Sequence, residues 1–160
     1  MPAFNFKIVS GGQTGIDRVA LDAAIDTGLQ HGGWCPKGKL AEDGIIPGKY
    51  ELSETESKNY AVRTERNVED SDGTLIIYLA PISGGTALTA RLAAKHGKPC
   101  FKLDFGGIDQ ANLKTNVESI SSWIKENQIR VLNIAGPRHS STPELSAQVY
   151  PFLISLFAAF

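Results

Sequence analysis

The sequence predicts an α/β chain of Rossmann-like, doubly wound design, with a mainly parallel sheet of about five strands and helices on both faces. Three observations carry that expectation. Short apolar runs alternate with stretches of helical periodicity from end to end. The clearest run, Thr74-Leu75-Ile76-Ile77-Tyr78-Leu79, is almost continuously apolar, as strands covered on both faces are. Glycine-rich turns follow several runs, where the βα connections of a parallel sheet would lie.

Residues 6–10 read as a first strand that stops at Gly11-Gly12. Residues 14–27 carry Ile16, Val19, Ala20, Ala23 and Ala24 at helical spacing, with Gly28 as the C-terminal cap. Residues 31–35 read as a short second strand closed by Pro36. Residues 37–55, with Gly38, Gly44, Pro47 and Gly48, are expected as a long loop, a length that usually signals function or mobility. Residues 57–69 are compatible with a helix anchored by Tyr60, Ala61 and Val68. Beyond the strand at 74–79, residues 86–96 are helical and end at Gly97, with Pro99 following. Residues 100–105 form the next strand, and Leu113, Val117, Ile120 and Ile124 mark a fourth helix. Residues 131–135 are a fifth strand, broken by Gly136-Pro137. The last helix is expected to open with Thr142 as N-cap and Pro143 at its first position. Its apolar face is Leu145, Val149, Phe152, Leu153, Leu156 and Phe157, and Pro151 should kink it.

At 160 residues, 42% hydrophobic and 21% charged, the chain suits a single domain spanning 1–160 with a core of its own. A formal net charge of −1 recruits neither nucleic acid nor an anionic membrane. The first residues, Met1 to Lys7, lack the basic flank and apolar run of a signal peptide, and no stretch is long and apolar enough to span a bilayer. Two cysteines without a secretory signal suit free thiols in a reducing compartment, so a cytoplasmic location is expected.

In an open parallel sheet, ligands sit beyond the carboxyl ends of the strands. Three loops expected there have unusual chemistry: Gly11-Gly12-Gln13-Thr14-Gly15-Ile16-Asp17-Arg18, Ser83-Gly84-Gly85-Thr86, and Gly136-Pro137-Arg138-His139-Ser140. Glycine lets backbone approach a ligand closely, and helix N-termini offer free N–H groups to an anion. Thr14, Ser83 and Thr86 supply hydroxyls, while Arg18, Arg91 and Arg138 add charge. The competing reading is that the glycines only make tight turns and Thr86 is an N-cap. Two diglycine loops and a basic third favour a phosphate-bearing small molecule. Neither G-x-G-x-x-G nor a P-loop G-K-[ST] occurs, so no NAD is expected.

The chain resembles the molybdenum cofactor carrier family, within the superfamily that includes the "lonely guy" phosphoribohydrolases. The matching text is Ser10 to Arg18, then Gly32-Gly33-Trp34-Cys35-Pro36-Lys37-Gly38 and Ala41-Glu42-Asp43-Gly44. It continues with Arg63-Thr64-Glu65-Arg66-Asn67-Val68, Ser71-Asp72-Gly73-Thr74, Ser83 to Thr89, and Asn133 to Arg138. The resemblance implies binding of molybdenum cofactor, a phosphorylated pterin, as cargo. It also implies a homo-oligomer, by analogy with superfamily relatives.

The phosphoribohydrolases carry P-G-G-x-G-T-x-x-E, with a catalytic glutamate. Here the run reads Ser83-Gly84-Gly85-Thr86-Ala87-Leu88-Thr89-Ala90-Arg91, and the glutamate's place falls on Arg91. An arginine cannot supply a carboxylate's acid–base chemistry, so hydrolysis at that position is disfavoured and an anionic ligand favoured. Other carboxylates are candidates: Glu42 and Asp43 in the long loop, which would fold over a ligand as a lid, and Asp17 in the first helical turn. Their competing explanations are solvated charges and a carboxylate suited to the helix dipole. Arg63 and Arg66, three residues apart, could grip phosphate together or be plain helix charges.

His31 and Cys35 share the spacing H-x-x-x-C with His96 and Cys100, a pattern that raises zinc. The fold reading puts the two cysteines at opposite sheet edges, so no structural metal is expected. Cys35 stays in the candidate binding set because it lies at the ligand edge, and Lys37 beside it is counted with that set. Three readings result: a carrier of a phosphorylated heterocycle, a nucleotide hydrolase with a relocated carboxylate, and a nucleotide sensor without turnover.

Overall fold

A computed structural model describes residues 5–160, so the reading of the first residues as a start without a leader falls partly outside it. In chain order the elements begin with β1 (Lys7–Val9), α1 (Ile16–Asp26), β2 (Gln30–Gly32) and β3 (Trp34–Cys35). Next come β4 (Leu40–Ala41), β5 (Gly44–Ile45), β6 (Ser53–Glu54), α2 (Tyr60–Glu69) and β7 (Gly73–Tyr78). The last are α3 (Gly84–Lys95), β8 (Cys100–Asp104), α4 (Leu113–Glu126), β9 (Val131–Ala135) and α5 (Leu145–Phe157).

The main sheet has five parallel strands in the order β2-β1-β9-β7-β8. From the middle, β1 leads outward to β2 and β7 leads outward to β8, while the last strand, β9, fills the gap between β1 and β7. The chain therefore reverses its winding at the β1–β9–β7 edge, where doubly wound sheets open a crevice for ligands. Helices α1, α4 and α5 cover one face and α2 and α3 the other.

The α1/α4/α5 face holds the larger core. Ile8, Leu75, Ile77, Leu132 and Ile134 from the strands meet Ile16, Ile120, Ile124, Val149, Phe152 and Leu156 from the helices, all fully buried. Phe152 and Phe157 are core residues, and Phe160 stacks on Phe6 at 4.5 Å between ring centroids. The opposite face carries Val68, Leu92 and Ala93 at one end. Nearer the winding reversal it is polar, with Thr74, Asn133, Asn67 and Thr89 all buried.

The structure departs from the sequence reading in three places. The expected strand at 31–35 is split at Gly33, whose φ of 130° lets the chain turn out of the main sheet. A Cβ there would lie 2.2 Å from the Ser10 carbonyl oxygen, so only glycine fits. The expected loop at 37–55 contains a small hairpin, β4–β5, and the strand β6, which pairs with β3. These pieces were hidden because two-residue strands show no periodicity. They close over a cluster of Leu21, Cys35, Ile46 and Tyr50. Finally, α5 begins at Leu145, with Glu144 at the N-cap position but making no side-chain cap, and runs through Pro151, so Thr142 and Pro143 belong to the preceding turn.

Candidate functional site

A small polar niche of about 80 Å3 lies at the β1–β9–β7 edge. Its walls come from the β1 end (Gly11, Gln13), α1 (Asp17), α2 (Arg63, Thr64, Asn67), α3 (Gly85, Thr86, Thr89) and β9 with its loop (Asn133, Gly136, Arg138). An outer cleft, lined by Tyr78, Pro81, Ser83 and Pro137, shares Gly85, Thr86 and Arg138 with the niche. The start of α3 thus forms the threshold between the two.

The three glycine loops have different tasks. At Gly15, with φ 84°, an added Cβ would come 2.4 Å from the Pro137 carbonyl oxygen, and at Gly136 one would come 2.3 Å from that of Ile77. The first and third loops are therefore pressed against each other and against β7, and the space beside their glycines is filled by protein. The α1 N-terminus is spoken for too, since Ile16 N–H donates to the Pro137 carbonyl at 3.3 Å. Gly84 and Gly85 are the opposite case: nothing lies within 4 Å of a Cβ at either. Ser83 makes no side-chain cap and the first turn of α3 has no acidic residue. Among the three loops, this helix start is the one open to an anion.

Hydrogen bonds confirm the division. Thr14 donates its hydroxyl to Glu42 Oε1 and accepts the His139 N–H at 3.2 Å, so it is occupied within the protein. Glu42 also accepts from the Ser140 N–H at 3.0 Å and the Ser140 hydroxyl at 2.6 Å. These bonds hold its carboxyl down near pH 2, far below the usual carboxylate range. Arg18 pairs with Asp43 at 2.5 Å and donates to the Gly12 carbonyl, and the pairing lowers the Asp43 pKa. Thr14, Arg18, Glu42 and Asp43 thus form a latch tying the β4–β5 hairpin to the first and third loops. They line a shallow hollow beside the niche rather than the niche itself.

Inside the niche, Arg63 is 8% exposed and donates Nη1 to the Gly11 carbonyl at 2.7 Å and Nε to Thr64 at 3.2 Å. Its Nη2 makes no bond within the protein and is not sealed off among the buried orphan atoms. Asp17 is 8% exposed, and burial raises its pKa to about 6 against the opposing pull of Arg63, the Gln13 N–H, Arg18 and the Gly11 N–H. Its neighbours are distant for a buried carboxylate: Gln13 N at 3.4 Å and Arg63 Nη1 at 3.8 Å. Burial outweighs the favourable helix dipole expected for it. Gln13 Nε2 is the one buried side-chain donor or acceptor atom without a partner among the described residues. Asn133 donates Nδ2 to Thr74 Oγ1 at 3.3 Å across the β9–β7 pair.

Four further expected site residues lie outside the niche. Arg91 is on the exposed side of α3. Five residues beyond Thr86 is about 140° around a helix, so it faces away from the niche. The position one turn beyond Thr86 is Thr89, which does line the niche and bonds the Gly85 carbonyl at 3.0 Å. Arg66 lies over the Trp34 ring at 4.9 Å and pairs with Glu56 at 3.0 Å, so it does not act with Arg63. Cys35 is fully buried in the cluster under the hairpin, which raises its pKa, and Lys37 is exposed on the rim of that segment. Thr64, Asn67, Thr89 and Asn133 were missed as niche residues. All four stood within the matched motifs Arg63 to Val68, Ser83 to Thr89 and Asn133 to Arg138. Helical spacing from Arg63 and Thr86 would have pointed to Asn67 and Thr89.

A model of the circularly permutated YpsA SLOG family matches residues 8–157. A crystal structure from Syntrophus aciditrophicus SB, provisionally named a molybdenum carrier protein, is 45% identical with a TM-score of 0.87. The match covers 98% of this chain and 95% of that one. No curated protein matches the chain.

Proposed function

The chain belongs to the circularly permutated YpsA SLOG family, and from that premise we propose that it binds and carries a phosphorylated heterocycle, with molybdenum cofactor the leading candidate. The observation that carries the reading is the start of α3: an uncapped helix N-terminus with open space at Gly84 and Gly85, where the niche meets the outer cleft. A phosphate there receives N–H groups of the first turn, the Thr86 hydroxyl and charge from Arg138. The small niche and the larger outer cleft, both mainly polar, give two adjoining chambers for the rest of the ligand. A phosphorylated pterin suits that division, and the name of the 45%-identical structure supports the cargo.

Native mass spectrometry of protein purified gently from its own cells tests this, followed by denaturing release of what it holds. The expected result is a phosphorylated heterocycle, with molybdenum if the cargo is the cofactor. Protein that carries nothing, and whose Tm moves with no phosphorylated pterin or nucleotide, overturns the reading. Arg138→Ala should weaken binding about tenfold or more, from loss of a charge-assisted contact.

One observation favours a second reading, a nucleotide hydrolase. Asp17 faces the niche with a pKa near 6, in the range of acid–base groups, whereas Glu42 and Asp43 are tied up in the latch. Release of free base from nucleoside monophosphates, abolished in Asp17→Asn, would establish it. Absence of any release removes it.

A further inference from the structure

Asp17 and Gln13 leave opposite deficits in one small space. An ionised carboxylate has room for about four donors. Asp17 receives the Gln13 N–H at 3.4 Å, a guanidinium at 3.8 Å and a weaker pull from the Gly11 N–H, although it is 8% exposed. Beside it, Gln13 is 5% exposed, its Oε1 accepts from Thr14 N and Glu42 N, and its Nε2 has no partner. Arg63 adds an Nη2 that no protein group accepts. The niche therefore lacks donors at a buried carboxylate and an acceptor at Arg63 Nη2, with the buried, unpaired Gln13 Nε2 alongside. Such deficits cost stability unless a ligand fills them.

Inorganic phosphate fits this floor badly, because its charge would face Asp17. A ring edge that presents one acceptor and two adjacent N–H donors fits it well. The 2-amino-4-oxopyrimidine ring has that edge: the carbonyl oxygen, the ring N–H and the exocyclic amine. Adenine offers a lone pair where the ring N–H should be, and would place it against the carboxylate.

We propose that Asp17 is the specificity-determining residue of the niche, receiving the N–H and amino donors of a 2-amino-4-oxopyrimidine ring, as found in guanine and in pterins, while Arg63 faces its carbonyl. This rests on the reading of the site as a phosphorylated-heterocycle binder and fixes which end of the ligand points inward. The ring occupies the niche floor and the phosphate stays at the α3 threshold.

The test is calorimetric titration of the full chain with GMP, IMP, AMP, neopterin monophosphate and guanosine. GMP or neopterin monophosphate should bind at least about tenfold more tightly than AMP, with IMP, which lacks the amine, in between. Which of the two binds more tightly separates a guanine source from a pterin source. Asp17→Asn, nearly isosteric, should erase the preference over AMP while keeping affinity for AMP within about threefold, because the carboxamide turns a donor toward the ring donors. AMP binding as tightly as GMP and neopterin monophosphate in the wild type overturns the proposal, even if the variant fails to fold. So does a preference that survives Asp17→Asn. Guanosine binding as tightly as GMP leaves the edge reading standing and overturns the phosphate reading. Binding of none of the five overturns both.

Discussion

Asp17 shows how one residue's cost becomes a measurable signature. Its folded pKa, about 6, stands above the ordinary value of 3.8. The folded state thus holds the proton more tightly than the unfolded state does. The penalty is absent below about pH 4, grows between pH 4 and 6, and is complete above 6, on the order of 3 kcal/mol for a shift of about two units. The groups facing the carboxylate, Arg63 from α2, Arg18 from α1 and the backbone of Gly11 and Gln13, already reduce it. Asp17→Asn should therefore raise the Tm of the ligand-free protein at pH 7 and match the wild type near pH 4. Glu42, Asp43 and Glu65 are shifted downward and oppose this trend in the wild type, so the difference between the two proteins is the quantity to follow. A difference that does not change between pH 4 and 7 would refute the assignment of a buried, strained carboxylate.

At the scale of elements, the loops separate into scaffold and threshold. Gly136→Ala should cost about 2–3 kcal/mol, because its Cβ would sit 2.3 Å from the Ile77 carbonyl oxygen and 2.7 Å from Ile16 Cβ, none of which can retreat. Gly85→Ala meets nothing within 4 Å and should leave stability unchanged or raise it by about 0.5 kcal/mol. It should nevertheless lose ligand affinity, since the methyl group stands where the anion approaches. Denaturant melts and titrations on the two variants check both statements, and a fully binding Gly85→Ala would contradict the threshold. The latch gives a further prediction. Glu42→Gln removes the charge that Thr14 and Ser140 satisfy, so amide exchange should quicken over β4–β5 without global unfolding. Unchanged exchange there would show that the hairpin is held by the Ile46–Tyr50 cluster alone.

For the whole molecule, the alternation of apolar runs and helical periodicity was enough to recover the five parallel strands and five helices, and Val131–Ala135 was bounded to the residue. The hairpin and β6 escaped because pieces of two residues leave no period to read. Among the described residues, no helix is long and apolar enough to cross a membrane. The candidate site was legible as three loops at one edge, since loop chemistry is written in glycines, hydroxyls and arginines. Their division of labour was not legible. Whether a glycine admits a ligand or another segment depends on what the fold brings beside it, as the Gly15–Pro137 contact and the open Gly85 show. The inward turn of Arg63 and the outward turn of Arg91 depend in the same way on where each helix is laid down.

The central claim is that the start of α3 receives the ligand's phosphate. A crystal structure of the chain with a bound nucleoside monophosphate or pterin monophosphate tests it most directly. The account predicts the phosphate within hydrogen-bond distance of the Gly85 and Thr86 N–H groups, with the Arg138 guanidinium beside it. A phosphate seated instead against the Thr14–Arg18 turn, or density at neither place under saturating ligand, would contradict it.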